Sequence, residues 1–340
     1  MHRRTILLST SLLAAGALLP GGAGRAAEVQ KRTLKFPSAS NKGHPQVVGV
    51  EKFAELVKEK SGGLITVRPF PGGTLGPDVQ VVSGMQGGTI EMTVMNASLL
   101  AGNVKEMAVL DFPFLFGNSE EAYAVVDGPV GQKLFEKLPD RGLVGLAYFD
   151  LGFRQMNNQK RPINKAEDLV GLKMRVIPTP IYVDFMNAIG ANAVPMPFTE
   201  TYAALETGAI DGMTNPLLNI TDMKFYEVTK YLTITNHMYN PQAVIMSKKT
   251  WDKLSEDERK IIQEAATEAT AYQRKVTQET NAKALETLKA GGMEVTELPP
   301  EEIAKLKEKA KPVIKKHTQS IGPEFVAALD AEIAKVRGKA

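Results

Sequence analysis

Residues 255–292 run SEDERKIIQEAATEATAYQRKVTQETNAKALETLKAGG, with no proline and with glycine only in the closing pair. Ser255 followed three residues later by Glu258 is a capping box, each side chain satisfying a backbone N–H of the other's turn. Gly291-Gly292 supplies the stop. At 1.5 Å per residue the helix between them reaches roughly 50 Å, longer than one compact unit needs. Its apolar set, Ile262, Ala265, Tyr272, Val276, Leu285 and Leu288, is spread along the whole length. It therefore packs from end to end, as a brace across two lobes would.

Upstream of this helix the chain alternates strand and helix patterns, the signature of an α/β fold. Strands are expected at 33–36, 64–70, 90–95 and 143–149, then in a second cycle at 153–156, 173–177 and 193–194. Between them Val47, Val50, Ala54 and Val57 recur at helical spacing, and helices are expected at 79–85, 181–189 and 199–206. Asp111-Phe112-Pro113-Phe114-Leu115-Phe116 reads as an aromatic plug between elements. Downstream, two shorter helices are expected at 300–316 and 323–337. The 340 residues exceed what one core usually organises, so two domains are expected.

The first residues read as an export signal. Arg3 and Arg4 precede an apolar run from Ile6 to Leu19, then a small-residue stretch ending at Ala26-Ala27. The arginine pair also fits twin-arginine export. Cleavage near Ala26 or Ala27 would remove Arg3, Arg4 and Arg25, leaving 38 basic against 38 acidic residues. A near-neutral chain without a basic stripe is not built for nucleic acid. Cysteine is absent, so stability must come from packing.

Little in the chain suggests catalysis. It has no cysteine nucleophile, no G-x-S-x-G elbow and no phosphate loop. The histidines past the signal, His44, His237 and His317, are far apart, which argues against a zinc site. More telling are Arg154 and Arg175, each in a strand-like apolar segment. A guanidinium there must meet either a structural carboxylate or an anion in a cleft, and the sequence leaves both open.

At these residues the chain resembles the solute-binding proteins of tripartite ATP-independent periplasmic (TRAP) transporters, of the C4-dicarboxylate-binding type. The likeness is carried, in order, by His44-Pro45, Lys52-Phe53-Ala54-Glu55, Lys60-Ser61-Gly62-Gly63, Gly73-Thr74-Leu75-Gly76, Pro113-Phe114-Leu115-Phe116 and Gly152-Phe153-Arg154. It continues through Glu167-Asp168-Leu169-Val170-Gly171-Leu172-Lys173-Met174-Arg175-Val176, Pro195-Met196-Pro197-Phe198-Thr199-Glu200, Gly208-Ala209-Ile210-Asp211-Gly212 and Lys224-Phe225-Tyr226-Glu227-Val228.

The resemblance implies a two-lobed periplasmic-binding-protein fold with crossing strands and a long helix spanning both lobes. It places 28–151 plus about 240–279 in the first lobe, and 152–239 plus about 280–340 in the second. It implies an arginine clamp on a ligand carboxylate: Arg175 as the grip, Arg154 in support and Asn215 closing on the same group. Phe198 would pack against the ligand or simply fill core. The stretch from Ser38 to His44, Phe70 and Asn96 are candidates for specificity from the first lobe, His44 reading equally as a helix cap. Tyr239 and Gln242 are candidates where the chain returns between lobes. Where the family often carries Asp-Gly-Gln-Glu-Asn-Pro, this chain has Asp211-Gly212-Met213-Thr214-Asn215-Pro216, so that corner is less charged. The resemblance implies a monomeric, periplasmic receptor for a small organic acid that hands its cargo to membrane permease subunits, with no metal or cofactor.

Overall fold

The computed structural model describes residues 29–338, and the export signal read at 1–27 lies outside them. The chain builds two α/β lobes. In the first, β1 (Arg32–Pro37) and β2 (Ile65–Phe70) pair in parallel around the helix Pro45–Lys60. Beside them stand β3 (Met92–Asn96) and β4 (Leu143–Phe149). The second lobe is a mixed six-stranded sheet. It is made by β5 (Arg154–Asn158), β6 (Lys173–Val176), β7 (Asn192–Pro195), β8 (Gly212–Pro216), β9 (Tyr231–Ile234) and a late edge strand. From β9 the chain returns to the first lobe as β10 (Gln242–Ser247), which inserts between β3 and β4. The edge strand of the second sheet, β11 (Glu294–Glu297), follows the long helix and pairs with β9.

The long helix spans Glu256–Ala290 and carries the expected capping box at Ser255 and Glu258. Its two halves serve different cores. Ile262, Ala265, Ala266 and Ala269 pack with Phe36, Phe53, Ile65 and Phe149 of the first lobe. Ala284 and Leu288 pack with Ile210, Ile220 and Phe225 of the second. Burying each such large side chain stabilises by about 1.5–3 kcal/mol. A third apolar cluster runs through both lobes, joining Met107 and Phe112 to Tyr182, Phe185 and Met238. It includes the buried Phe112 and Phe116 of the aromatic plug. The helix Pro300–Ile321 contacts both lobes, and Pro323–Val336 packs on Ser119–Val126 and Pro129–Phe135. The last helix, grouped with the second lobe in the sequence reading, thus rests on helices of the first.

The crossings between lobes meet at one residue. Asp150, 2 % exposed at the end of β4, accepts hydrogen bonds from Tyr123 Oη (2.5 Å), Tyr239 Oη (2.7 Å) and Gly152 N (2.7 Å). Gln273 of the long helix brackets its backbone, accepting from Asp150 N (2.8 Å) and donating to Asp150 O (2.7 Å). Gly152 holds φ +90°, a left-handed turn that a side chain would strain. One residue, by its carboxylate and its backbone together, therefore ties both crossing segments and the brace.

Candidate ligand-binding site

Between the lobes lies a cleft of about 320 Å³, large enough for a small organic molecule. Six residues singled out from the sequence line it: Arg154, Arg175, Asn215, Phe198, Asn96 and Gln242. The second-lobe wall comes from adjacent strands. Arg175 sits on β6, Asn215 on β8, which pairs with β6, and Arg154 on β5, which pairs with β8. Arg154 lies opposite Pro216 and Arg175 opposite Met213 on β8, and both side chains reach the cleft from the same end of the sheet.

Both arginines are buried, 1 % exposed for Arg154 and 2 % for Arg175. Arg154 is held firmly. Its Nε donates to Thr214 Oγ1 (3.0 Å), its Nη1 to Asn240 Oδ1 (2.5 Å) and its Nη2 to the Thr214 carbonyl. Tyr182 lies under the guanidinium at 5.2 Å. Thr214 is in turn bonded to His237 Nε2 (2.8 Å), whose Nδ1 meets Thr235 Oγ1 (2.7 Å). Burial, and then the Arg154 charge, lowers the His237 imidazole to about 3, so the ring is neutral and spans the two hydroxyls without adding charge. Thr214, where the family pattern often carries an acid, gives Arg154 a hydroxyl and a carbonyl instead of a counter-charge.

Arg175 is held on one edge only. Its Nε and Nη2 both donate to the Met196 carbonyl (3.0 and 2.8 Å), and its cation lies 5.8 Å from the Phe198 ring. No protein acceptor engages Nη1 among the described residues. Arginine ion pairs within 4.0 Å involve Arg32, Arg274 and Arg337, and neither cleft arginine has one. Burial first, and repulsion from Arg154 second, lower the Arg175 guanidinium to about 9. Of the two readings the sequence left open, the structural ion pair is absent. Two buried like charges answered only by carboxylates beyond ion-pair distance, Asp111 for Arg154 and Asp78 for Arg175, are costly, and an anion bridging them would relieve that cost.

Asn215 Oδ1 accepts from Asn219 Nδ2 (2.8 Å), four residues on and also in the wall. On the first-lobe side Asn96 Oδ1 accepts from Ser98 N (2.8 Å), and Gln46 Nε2 donates to Gln242 Oε1 (2.8 Å). Asn96 Nδ2 is buried without a partner. Asp111 is fully buried and feels the Arg154 charge, with Ser98, Tyr182 and Asn96 around its carboxyl. Burial raises the Asp111 carboxyl to about 6, against smaller opposite pulls from its neighbours, Arg154 among them.

Four candidates lie outside the cleft wall. His44 caps the helix Pro45–Lys60, its Nδ1 accepting from Gln46 N (3.0 Å), and burial lowers its imidazole to about 4. Ser38 Oγ is spent on Ser40 O and Gln46 Oε1 (3.4 and 3.3 Å). Phe70, at the end of β2, has the Arg68 cation 5.7 Å from its ring. Tyr239 is turned to Asp150 at the hinge.

Ser40, within the 38–44 stretch expected to supply specificity, lines the cleft, as do Gln46, Asp78, Gln80, Asn219 and Asn240, for which the sequence raised no expectation. The four-residue spacing of Asn215 and Asn219 carried no helical signal, since Asn215 belongs to β8 and only Asn219 to the helix Leu217–Asp222 that follows. Asp78 carried no sign of a binding role, because Gly76-Pro77-Asp78 reads as an ordinary helix opening. Its carboxyl is partly buried and is raised by desolvation to about 6, with Arg175 across the cleft pulling the other way.

Comparisons with known proteins give the family and the fold. The model of bacterial extracellular solute-binding protein, family 7, matches residues 36–320. The C4-dicarboxylate-binding periplasmic protein DctP of Rhodobacter capsulatus is 35% identical over 304 residues, 89% of this chain and 91% of its own. A TRAP periplasmic solute-binding protein from Ochrobactrum anthropi, with a C-terminus bound in its ligand pocket, is 56% identical with a TM-score of 0.82. That match covers 92% of this chain and 98% of the other. The sugar acid binding protein DctPAm of Advenella mimigardefordensis, solved with galactonate, is 39% identical with a TM-score of 0.89, covering 90% and 99% of the two chains.

Proposed function

Because the chain belongs to the bacterial extracellular solute-binding proteins of family 7, the TRAP receptors for small organic acids, we propose that it captures a hydroxylated monocarboxylate between its lobes. The ligand carboxylate is gripped by Arg175 and Arg154, with Asn215 closing on the same group and Phe198 packing along the carbon chain. The observation that carries this reading is the pair of buried guanidinium groups without an ion pair, Arg175 having a free Nη1 beside the cleft. Guanidinium and carboxylate match as a fork, and exclusion of water strengthens the pair.

The opposite wall supports a neutral far end. Ser40, Gln46, Gln80, Asn96 and Gln242 offer amides and a hydroxyl, and no lysine or further arginine lines the cleft. Such a wall suits hydroxyl groups, as in the galactonate bound by DctPAm. The receptor then delivers its cargo from the periplasm to membrane permease subunits.

Thermal shift and calorimetry on protein freed of co-purified ligand test the clamp. Small hydroxy acids are expected to raise the melting temperature while their matched amides do not, and Arg175→Ala to bind at least about 100-fold more weakly. Binding by Arg175→Ala within about threefold of wild type, well under the ~1.4 kcal/mol of one decade, overturns the assignment.

A further inference from the structure

The two ends of the cleft carry opposite charge. The second lobe brings the buried arginines. The first lobe brings a carboxylate, Asp78, at the start of the helix Asp78–Gly87, among neutral amides and hydroxyls. Asp78 and Arg175 feel each other's charge across the cleft, yet they form no ion pair within 4.0 Å. Both residues line the same cleft, so a ligand held by its carboxylate on Arg175 shares the cavity with the Asp78 carboxylate. Glu200, the other carboxylate of the lining, is exposed at the rim, where water and salt screen it. Asp78 is half-buried and is screened far less.

A carboxylate accepts hydrogen bonds from hydroxyl groups and repels another carboxylate. The second acid group of a diacid would meet this charge with no cation on the lining beyond the two arginines already engaged by the first. Like charges brought together at a binding surface cost several kcal/mol.

We propose that Asp78 is the residue that restricts this receptor to monocarboxylates, accepting hydrogen bonds from hydroxyls at the ligand's far end and excluding diacids of the same length. The inference rests on the arginine-clamp reading, since it needs one carboxylate anchored on Arg175.

The test uses pairs that differ only at the far end: erythronate against tartrate, and galactonate against galactarate, in which a carboxylate replaces the terminal CH2OH. Calorimetric Kd values are measured for wild type, Asp78→Asn and Asp78→Ser, the second variant guarding against a folding defect in the first. In wild type the monoacid of the better-bound pair is expected to bind at least about 100-fold more tightly than its diacid. Both variants are expected to close that gap by about tenfold or more, chiefly through a gain in diacid affinity. A destabilised site would weaken both ligands, so a gain cannot come from damage. Wild type binding a diacid as well as its monoacid overturns the proposal, as does an unchanged ratio in both variants. The amide of the monoacid separates the two claims. If the amide binds as well as the acid, the clamp fails; if only the acid binds and the ratio ignores Asp78, this inference alone fails.

Discussion

At the scale of single residues the cleft is governed by groups buried against their own preference for water. Asp111 shows this through pH. Its carboxyl is raised by burial to about 6, so the folded state holds the proton more tightly than the unfolded chain does. Below the unfolded value of 3.8 both states are protonated and nothing is lost. Between there and about 6 the unfolded chain ionises first, and stability falls as pH rises. Asp111→Asn, which imitates the protonated form, is expected to be more stable than wild type above pH 6 by about 1–3 kcal/mol, and equal to it near pH 3.5. Denaturant unfolding at several pH values measures this, and a constant offset at all pH values would contradict it. The same physics explains what the sequence disclosed. Arg154 and Arg175 stood out because a charge amid apolar residues must be answered by something. Asp78 and Asn240 did not, because polar residues at a helix opening or in a crossing segment look like ordinary surface until the lobes meet.

At the scale of elements the long helix was legible from capping, the absence of breakers and apolar spacing, and its bounds in the structure coincide with those signals. Strands β8 and β11 were not legible. All five residues of β8 are buried, so its sequence, Gly-Met-Thr-Asn-Pro, has no alternating face to read. The edge strand β11 is four residues long with both glutamates exposed, and only pairing with β9 makes it a strand. Contact between the long helix and Pro45–Lys60 depends on Gly49. A Cβ there would lie 2.6 Å from Gln273 Cγ and 2.7 Å from Phe149 Cε2. Gly49→Ala is expected to lower unfolding stability by about 1–3 kcal/mol through overpacking. A variant as stable as wild type in urea would show that these helices can separate at no cost.

At the scale of the whole molecule, lobe division was readable in outline and blurred at its end. Pro323–Val336 is a short amphipathic helix, and nothing in its own sequence says which lobe it covers. Hinge and site separate cleanly in space, which yields a test. Tyr239→Phe removes one hydrogen bond to Asp150 and touches no cleft group. It is expected to cost about 1–3 kcal/mol of stability while ligand affinity stays within about threefold. A tenfold loss of affinity with unchanged stability would return Tyr239 to the binding site.

The place of β10 has a consequence for how the molecule is made. The middle strand of the first sheet is encoded after the whole second sheet except its edge, and the last helix closes over the first lobe. A polypeptide emerging from its N-terminus therefore presents β3 and β4 with a vacancy between them that only later sequence fills. Pairings so distant along the chain form slowly. Neither half can mature while the rest is still being synthesised, which keeps the newborn chain loose until its final segment is free.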